Sequence, residues 1–141
     1  MTAYSEVSLG DQLAPLAIPL TRTLIVATAI ASRDFQEVHH DPSIAVARGS
    51  KDVIMNILTT NGLVGRYVTD WAGPNAIIGK VAIRLGISNY PGDTMTLTGT
   101  VVRKEDGEID IAIVGANSIG NHVTGTVTVR LPNTDVRAGS I

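Results

Sequence analysis

Residues 53–71 read VIMNILTTNGLVGRYVTDW. Within this run Ile54, Ile57, Val64, Val68 and Trp71 recur at helical spacing, and Leu58, Leu63 and Tyr67 widen the stripe until little polar surface is left. The spacing predicts a long helix over 53–71, buried in the core. Gly62 and Gly65 fall inside it, where each costs about 1 kcal/mol of helix propensity relative to alanine. Close approach to a sheet is the expected reason for both glycines.

The C-terminal flank supplies such a sheet. Ile77, Gly79, Val81, Ile83, Leu85 and Ile87 take alternate positions with Lys80 and Arg84 between them, the period of two of a strand with one buried face. Met95, Leu97, Gly99 and Val101 alternate with Thr94, Thr96, Thr98 and Thr100. Ile109, Ile111 and Ile113 alternate with Glu108, Asp110 and Ala112, and Val123, Val127, Val129 and Leu131 oppose His122, Thr124, Thr126 and Thr128. Glu105-Asp106-Gly107 and Gly120-Asn121 read as hairpin turns between these strands. Residues 89–93, with Pro91-Gly92, read as the turn before the second of them, and Asp93 as part of that turn.

On the N-terminal side, residues 23–31 are apolar and β-branched on both faces, which predicts a central strand ending at Ser32-Arg33-Asp34. Asp41-Pro42 reads as an N-cap followed by proline at the first helical position, with Gly49 as the stop of a short helix. Residues 1–21, with Pro15 and Pro19, read as an extended or loosely structured lead-in, and 133–141 as a frayed tail. One strand, a buried helix and four antiparallel strands make an α+β chain in which a sheet wraps a central helix. At 141 residues and 44% hydrophobic content, residues 1–141 are expected to form a single domain with a core of its own.

Composition narrows the chemistry. The net charge is −2 and the 11 Lys and Arg are scattered, so no nucleic acid is expected as a partner, because such binding needs clustered cations. There is no cysteine, which excludes disulfides, thiolate nucleophiles and sulfur-based zinc sites. The longest apolar stretch, 24–31, is far short of a membrane span, and the N-terminus carries Glu6 and Asp11 in place of a signal pattern. A soluble cytoplasmic protein with no membrane partner is expected. Aromatic residues make up only 4%, too few for a stacking platform.

Polar residues with reactive potential gather at Arg33, Asp34, Glu37, His39, His40 and Asp41. An acid and a histidine can act together on a water molecule, since imidazole titrates near neutrality. Spacing alone leaves Asp34 open to reading as a turn residue and His39 as a loop histidine. Asp41 is expected to serve as a helix cap, His40 as a bystander and Glu37 as a solvent charge. His39, His40, Asp41 and His122 lack a standard ligand spacing, so no metal is expected.

The run from Ser32 through Asp34 to His39, with Ala45 six residues on, resembles the hydratase-2 motif of the MaoC-like (R)-specific enoyl-CoA hydratases: Asp, four residues, His, five residues, then Ala or Ser. Leu58-Thr59, Gly62-Leu63 and 69–73 resemble that family's central helix, and Tyr90-Pro91-Gly92-Asp93-Thr94 the approach to its next strand. Residues 33–41, 49–52, 55–59 and 68–74 resemble more closely the small MaoC-like subunit of actinobacterial steroid side-chain hydratases.

The resemblance implies a hot-dog fold and hydration of a 2-enoyl-CoA, with Asp34 and His39 catalytic and the backbone N–H of Asn56 as the thioester oxyanion donor. It implies no metal or redox cofactor, a bulky steroid acyl-CoA thioester as substrate, and a second, larger MaoC-like subunit as partner, otherwise a homodimer. The chain departs from the common pattern at Arg33, where the family has Gly, at Gln36-Glu37, where it has Asn-Pro, and at Met55-Asn56, where it has His-Gly. A hot-dog thioesterase and a non-catalytic partner subunit are the competing readings.

Overall fold

The computed structural model describes residues 2–133; the expected tail at 133–141 lies, except for Asn133, outside the described residues. The chain runs β1 (Gln12–Pro19), α1 (Arg22–Ala31), α2 (Pro42–Ala47), α3 (Ile57–Ala72), β2 (Ile77–Leu85), β3 (Thr94–Glu105), β4 (Glu108–Ala116) and β5 (Asn121–Arg130), with single 3-10 turns at Tyr4–Glu6 and Glu37–His39. The strands form one antiparallel sheet in the order β1-β3-β4-β5-β2. Its concave face holds α3, the hot-dog arrangement.

The inward rows of β3, β4 and β5 are those the alternation predicts. Met95, Leu97, Val101, Ile109, Ile111, Ile113, Val123, Val127 and Val129 are each at most 1% exposed, and Val64, Tyr67, Val68 and Ala72 of α3 close the core over them. A two-residue turn joins β3 to β4, with Asp106 and Gly107 both at positive φ, as a tight hairpin between right-twisted strands demands. The helix does approach the sheet closely, but the glycine that permits it is on the sheet. A Cβ on Gly99 would stand 3.2 Å from the Tyr67 ring and 3.1 Å from Ile111, whereas one on Gly62 would meet nothing within 4 Å and one on Gly65 only the tip of Ile78.

Five expectations need correction. Residues 23–31 form helix α1, not a central strand. Thr21 caps it by accepting from the Leu24 N–H at 3.0 Å, Thr28 returns its hydroxyl to the Leu24 carbonyl at 2.6 Å, and the buried positions Ile25 and Ala29 are one helical turn apart. Capping and tertiary packing outweigh the β-branched run. The missing first strand is β1, inside the supposed lead-in. It pairs with β3 at the sheet edge, its register breaks between Leu13 and Leu16, and this accommodates Pro15.

Helix α3 begins at Ile57, not at 53, because the preceding segment is extended and pinned on both sides, by Ile54 N–H to the Val38 carbonyl (3.0 Å) and Met55 N–H to the Asn89 carbonyl (3.2 Å). Nor is it buried all round: Ile57 and Leu58 are each more than half exposed. Strand β2 pairs with β5 and carries a bulge between Ile78 and Lys80, which changes the phase of the alternation, so that Ile78, Val81 and Ile83 meet the core while Ile77 is 64% exposed. The Asp41 cap and the short helix after Pro42 occur as expected, with Asp41 accepting from the N–H groups of Ser43 and Ile44.

Two polar contacts set the helices against the rest. Arg22 at the start of α1 donates twice to Asp52, both at 2.7 Å, and the guanidinium holds the Asp52 carboxyl down at about 2. His122 of β5, 2% exposed, donates from Nδ1 to the Ile87 carbonyl at 2.7 Å and accepts at Nε2 from the Thr60 hydroxyl of α3 at 2.8 Å. Burial pushes the His122 imidazole below its ordinary value, against the smaller opposing effect of the Ile87 carbonyl. Among the described residues, no helix is long and apolar enough to cross a membrane.

Two measurements check this packing. Gly99→Val puts a branched side chain where the Tyr67 ring lies and should lower the unfolding free energy by about 1–3 kcal/mol in urea titrations. The unfolded His122 takes up a proton near pH 6.5 while the folded one resists it, so its contribution is complete above that pH and is lost as pH falls below it. The stability difference between the wild type and His122→Gln should accordingly narrow from pH 8 to pH 5.

Candidate active site

Asp34 is placed by the way α1 ends. Ser32 is the C-terminal cap, Arg33 adopts φ 57, the Arg33 N–H reaches the Ile30 carbonyl and the Asp34 N–H reaches the Ala29 carbonyl at 2.9 Å. These paired bonds are the Schellman termination, which ordinarily has glycine at the left-handed position. An arginine there costs about 1 kcal/mol of backbone strain. The Asp34 carboxylate then folds over its own loop, with Oδ1 accepting from the Gln36 N–H at 3.4 Å.

His39 closes the 3-10 turn that follows and is 7% exposed. Its Nδ1 lies 2.7 Å from the Ile54 carbonyl, and the Ile54 N–H donates to the Val38 carbonyl at 3.0 Å, so the 36–39 turn and the 53–56 segment are laced together. A carbonyl only accepts, which puts the proton of the neutral ring on Nδ1 and leaves the lone pair of Nε2 free. Nε2 is 3.3 Å from Oδ2 of Asp34. The pair picked out by spacing therefore does meet, as two acceptors at a distance where they can share one proton or receive both hydrogens of one water.

Asn56 is the third member. It is the N-cap of α3, 2% exposed, and its backbone N–H donates to no acceptor among the described residues. Its side chain also enters the site, a role that sequence reading missed. Oδ1 accepts from the Thr59 N–H at 3.0 Å and from the Thr59 hydroxyl, while Nδ2 donates to Ser32 Oγ at 2.9 Å and to Asp34 Oδ2 at 3.1 Å. The available signal was an Asn followed three residues later by Thr at the head of an apolar run, a helix-start pattern that would have moved the boundary to 57.

The other residues of the charged cluster separate from this centre. His40 Nε2 contacts the Phe35 carbonyl at 3.2 Å, Glu37 pairs with Arg48 at 3.4 Å on the surface, and Asp41 is occupied with its helix cap. The Ser43 hydroxyl, first among its partners, lowers the Asp41 carboxyl. His122 stands on β5 against Thr60, so the four candidate metal ligands are not brought together. Asp93 accepts from Thr94 and Ser118, tying the 89–93 turn to the β4–β5 connection.

Beside the centre runs an apolar groove of about 320 Å³ between α1 and α3, lined by Thr28, Ala31, Ser32, Leu58, Thr59, Gly62 and Leu63. Ser32 and Thr59 belong to both the groove and the Asn56 network. The open space above Gly62 is the groove itself.

Comparison with known proteins agrees with the fold and identifies the family. The family model described as MaoC like domain matches residues 7–133. The 3-oxo-4,17-pregnadiene-20-carboxyl-CoA hydratase beta subunit of Mycobacterium tuberculosis is 55% identical over 109 residues, covering 77% of this chain and 84% of that protein. The crystal structure of the ChsH1-ChsH2 complex from the same organism matches with a TM-score of 0.87 and 51% identity, over 88% of this chain and 98% of the matched one. The (R)-hydratase PhaJ1 of Pseudomonas aeruginosa has the same fold, with a TM-score of 0.86 at 20% identity, over 99% of this chain and 96% of its own. With its family motif, its fold and a relative at more than half identity in agreement, the chain belongs to the MaoC-like domain family.

Proposed function

We propose that this chain is the catalytic MaoC-like subunit of a steroid side-chain enoyl-CoA hydratase, adding water across the 2,3 double bond of a bulky polycyclic enoyl-CoA. The observation that carries the reading is the 3.3 Å approach of His39 Nε2 to Asp34 Oδ2, with Nδ1 already committed to the Ile54 carbonyl. Substrate identity is carried over from the relative, which is named for a pregnadiene carboxyl-CoA.

In the mechanism, one water lies against Nε2 and Oδ2 and its oxygen attacks C3 of the enoyl thioester. His39 Nε2 takes the proton the water loses. Electron density moves onto the thioester oxygen, where the Asn56 N–H and the positive end of α3 stabilise the enolate. The proton held between His39 and Asp34 is then delivered to C2, the carbonyl re-forms, and both side chains return to their starting charge. One water is consumed, and no redox cofactor or metal enters the balance.

The groove beside Ser32 and Thr59 is where the acyl group would lie. Its apolar walls suit fused hydrocarbon rings, and its open side suits completion by another chain. Ile30, Phe35, Val46, Ile57 and Leu58, all more than half exposed, stand on the segments that carry the site. Exposed apolar surface of this kind favours a covering partner, read here as a second MaoC-like subunit in a cytoplasmic heteromer. That neighbourhood, together with the intact Asp34–His39 pair, favours a catalytic subunit over a thioesterase or an inert scaffold.

Two predictions follow from the proposed centre and its groove. In the complex with its partner, Asp34→Asn and His39→Ala should each lower kcat/KM for hydration by at least about 100-fold, measured as loss of the conjugated enoyl absorbance with no free thiol appearing. Undiminished activity in both variants would sink the assignment, and thiol release by the wild type would make it a thioesterase. Gly62→Leu fills the groove and should lower the ratio of kcat/KM for the steroid ester to that for crotonyl-CoA by at least about tenfold. An unchanged ratio would move the acyl group elsewhere.

A further inference from the structure

The hydratase reading needs from Asn56 only its backbone N–H, which any residue in the same conformation supplies. The side chain is fixed far more firmly than that role requires. Oδ1 receives two donors from Thr59, so the amide has one orientation, and the NH2 end must face α1. Each of its two hydrogens finds one acceptor, Ser32 Oγ at 2.9 Å and Asp34 Oδ2 at 3.1 Å. Ser32 is free to accept there because its own hydroxyl donates to the Thr28 carbonyl at 2.7 Å. At 2% exposure the amide has no water to exchange these bonds with.

The carboxylate on the receiving end has little else to hold it. Oδ1 has one long contact from Gln36, Arg33 occupies a left-handed conformation suited to glycine, and Oδ2 faces the Nε2 lone pair of His39. Strained backbone persists only where the surroundings over-determine it. The Schellman bonds to Ile30 and Ala29 fix that backbone, and Asn56 fixes the carboxylate beyond it: without the amide hydrogen, nothing but a shared proton would keep Oδ2 turned toward His39.

We infer that the Asn56 side chain is a positioning residue for Asp34, holding Oδ2 against His39 Nε2 from the head of α3. This rests on the hydratase reading for its kinetic consequence, although the hydrogen bond itself can be tested without turnover. It also gives a physical role to one departure from the usual motif, the asparagine at the helix start.

The test is a double-mutant cycle in the reconstituted complex, with 3-oxo-4,17-pregnadiene-20-carboxyl-CoA as the probe. Asn56→Gly keeps the backbone N–H and an acceptable N-cap but removes the amide. It should lower kcat by about 10- to 100-fold with KM within about threefold. In the Asp34→Asn background the same change should cost less than about twofold, because a residue acting through Asp34 has nothing left to position.

Asn56→Ser keeps a hydroxyl cap at the helix start and removes both amide donors without burying a second carboxylate beside Asp34, so it should lose kcat to a similar extent; it decides the same cycle if the glycine variant folds poorly. Unchanged kcat, or an equal loss with and without Asp34, overturns the proposal in favour of a purely structural cap. Independently of turnover, the carboxyl carbon resonance of Asp34 should move between the wild type and Asn56→Gly while that of Asp41 does not. A stationary Asp34 resonance overturns the proposal, while a wild type that hydrates nothing overturns the hydratase reading alone.

Discussion

One buried amide at the head of α3 joins three parts of the molecule that sequence keeps far apart. Through Oδ1 it starts the helix that fills the sheet, and through Nδ2 it grips the end of α1 and the loop beyond. The site is thereby built at a junction between helices. The scaffold on the other side is stiff: the α3 stripe lies on sheet rows that are almost wholly buried, and His122 braces Thr60 one turn inside the helix. A loop attached to such a base inherits its precision, which is what a proton shared across a few ångströms requires.

Much of the fold was legible because β3, β4 and β5 write their two faces in different alphabets, with apolar residues inside and, outside, threonines on β3 and β5 and Glu108, Asp110 and Ala112 on β4. Elsewhere local preference and global context disagreed. Residues 23–26, Thr-Leu-Ile-Val, look like strand, yet only Ile25 and Ala29 of α1 are buried, too narrow a stripe to betray a helix. The proline pair that made 12–19 look unstructured is tolerable at an edge, which sequence cannot locate. The two glycines of α3 drew attention away from Gly99, whose alternation with threonine concealed that it is where helix and sheet touch.

The candidate site divides along the same line. Asp34 and His39 are five positions apart on one loop, so their spacing carried the information and the structure brings them within 3.3 Å. The Asn56 side chain reaches Asp34 across 22 positions, and nothing local announces that contact. The groove is further still from a linear reading, since it depends on α1 being a helix at all. Once Thr28, Ala31 and Ser32 are placed on a helix, they face Leu58, Thr59, Gly62 and Leu63 across a shared wall.

The two borders of the sheet are unlike. On β1, Pro15 and Pro19 interrupt the row of N–H groups and the register slips between Leu13 and Leu16, so that border makes a poor template for another strand. On β2 the backbone beyond β5 has no neighbour among the described residues and shows Ile77 to the outside. A sheet that can lengthen in only one direction terminates after a single addition: two such units joined border to border leave only proline-guarded ends. Growth into an open filament by strand addition is thereby disfavoured by the prolines themselves.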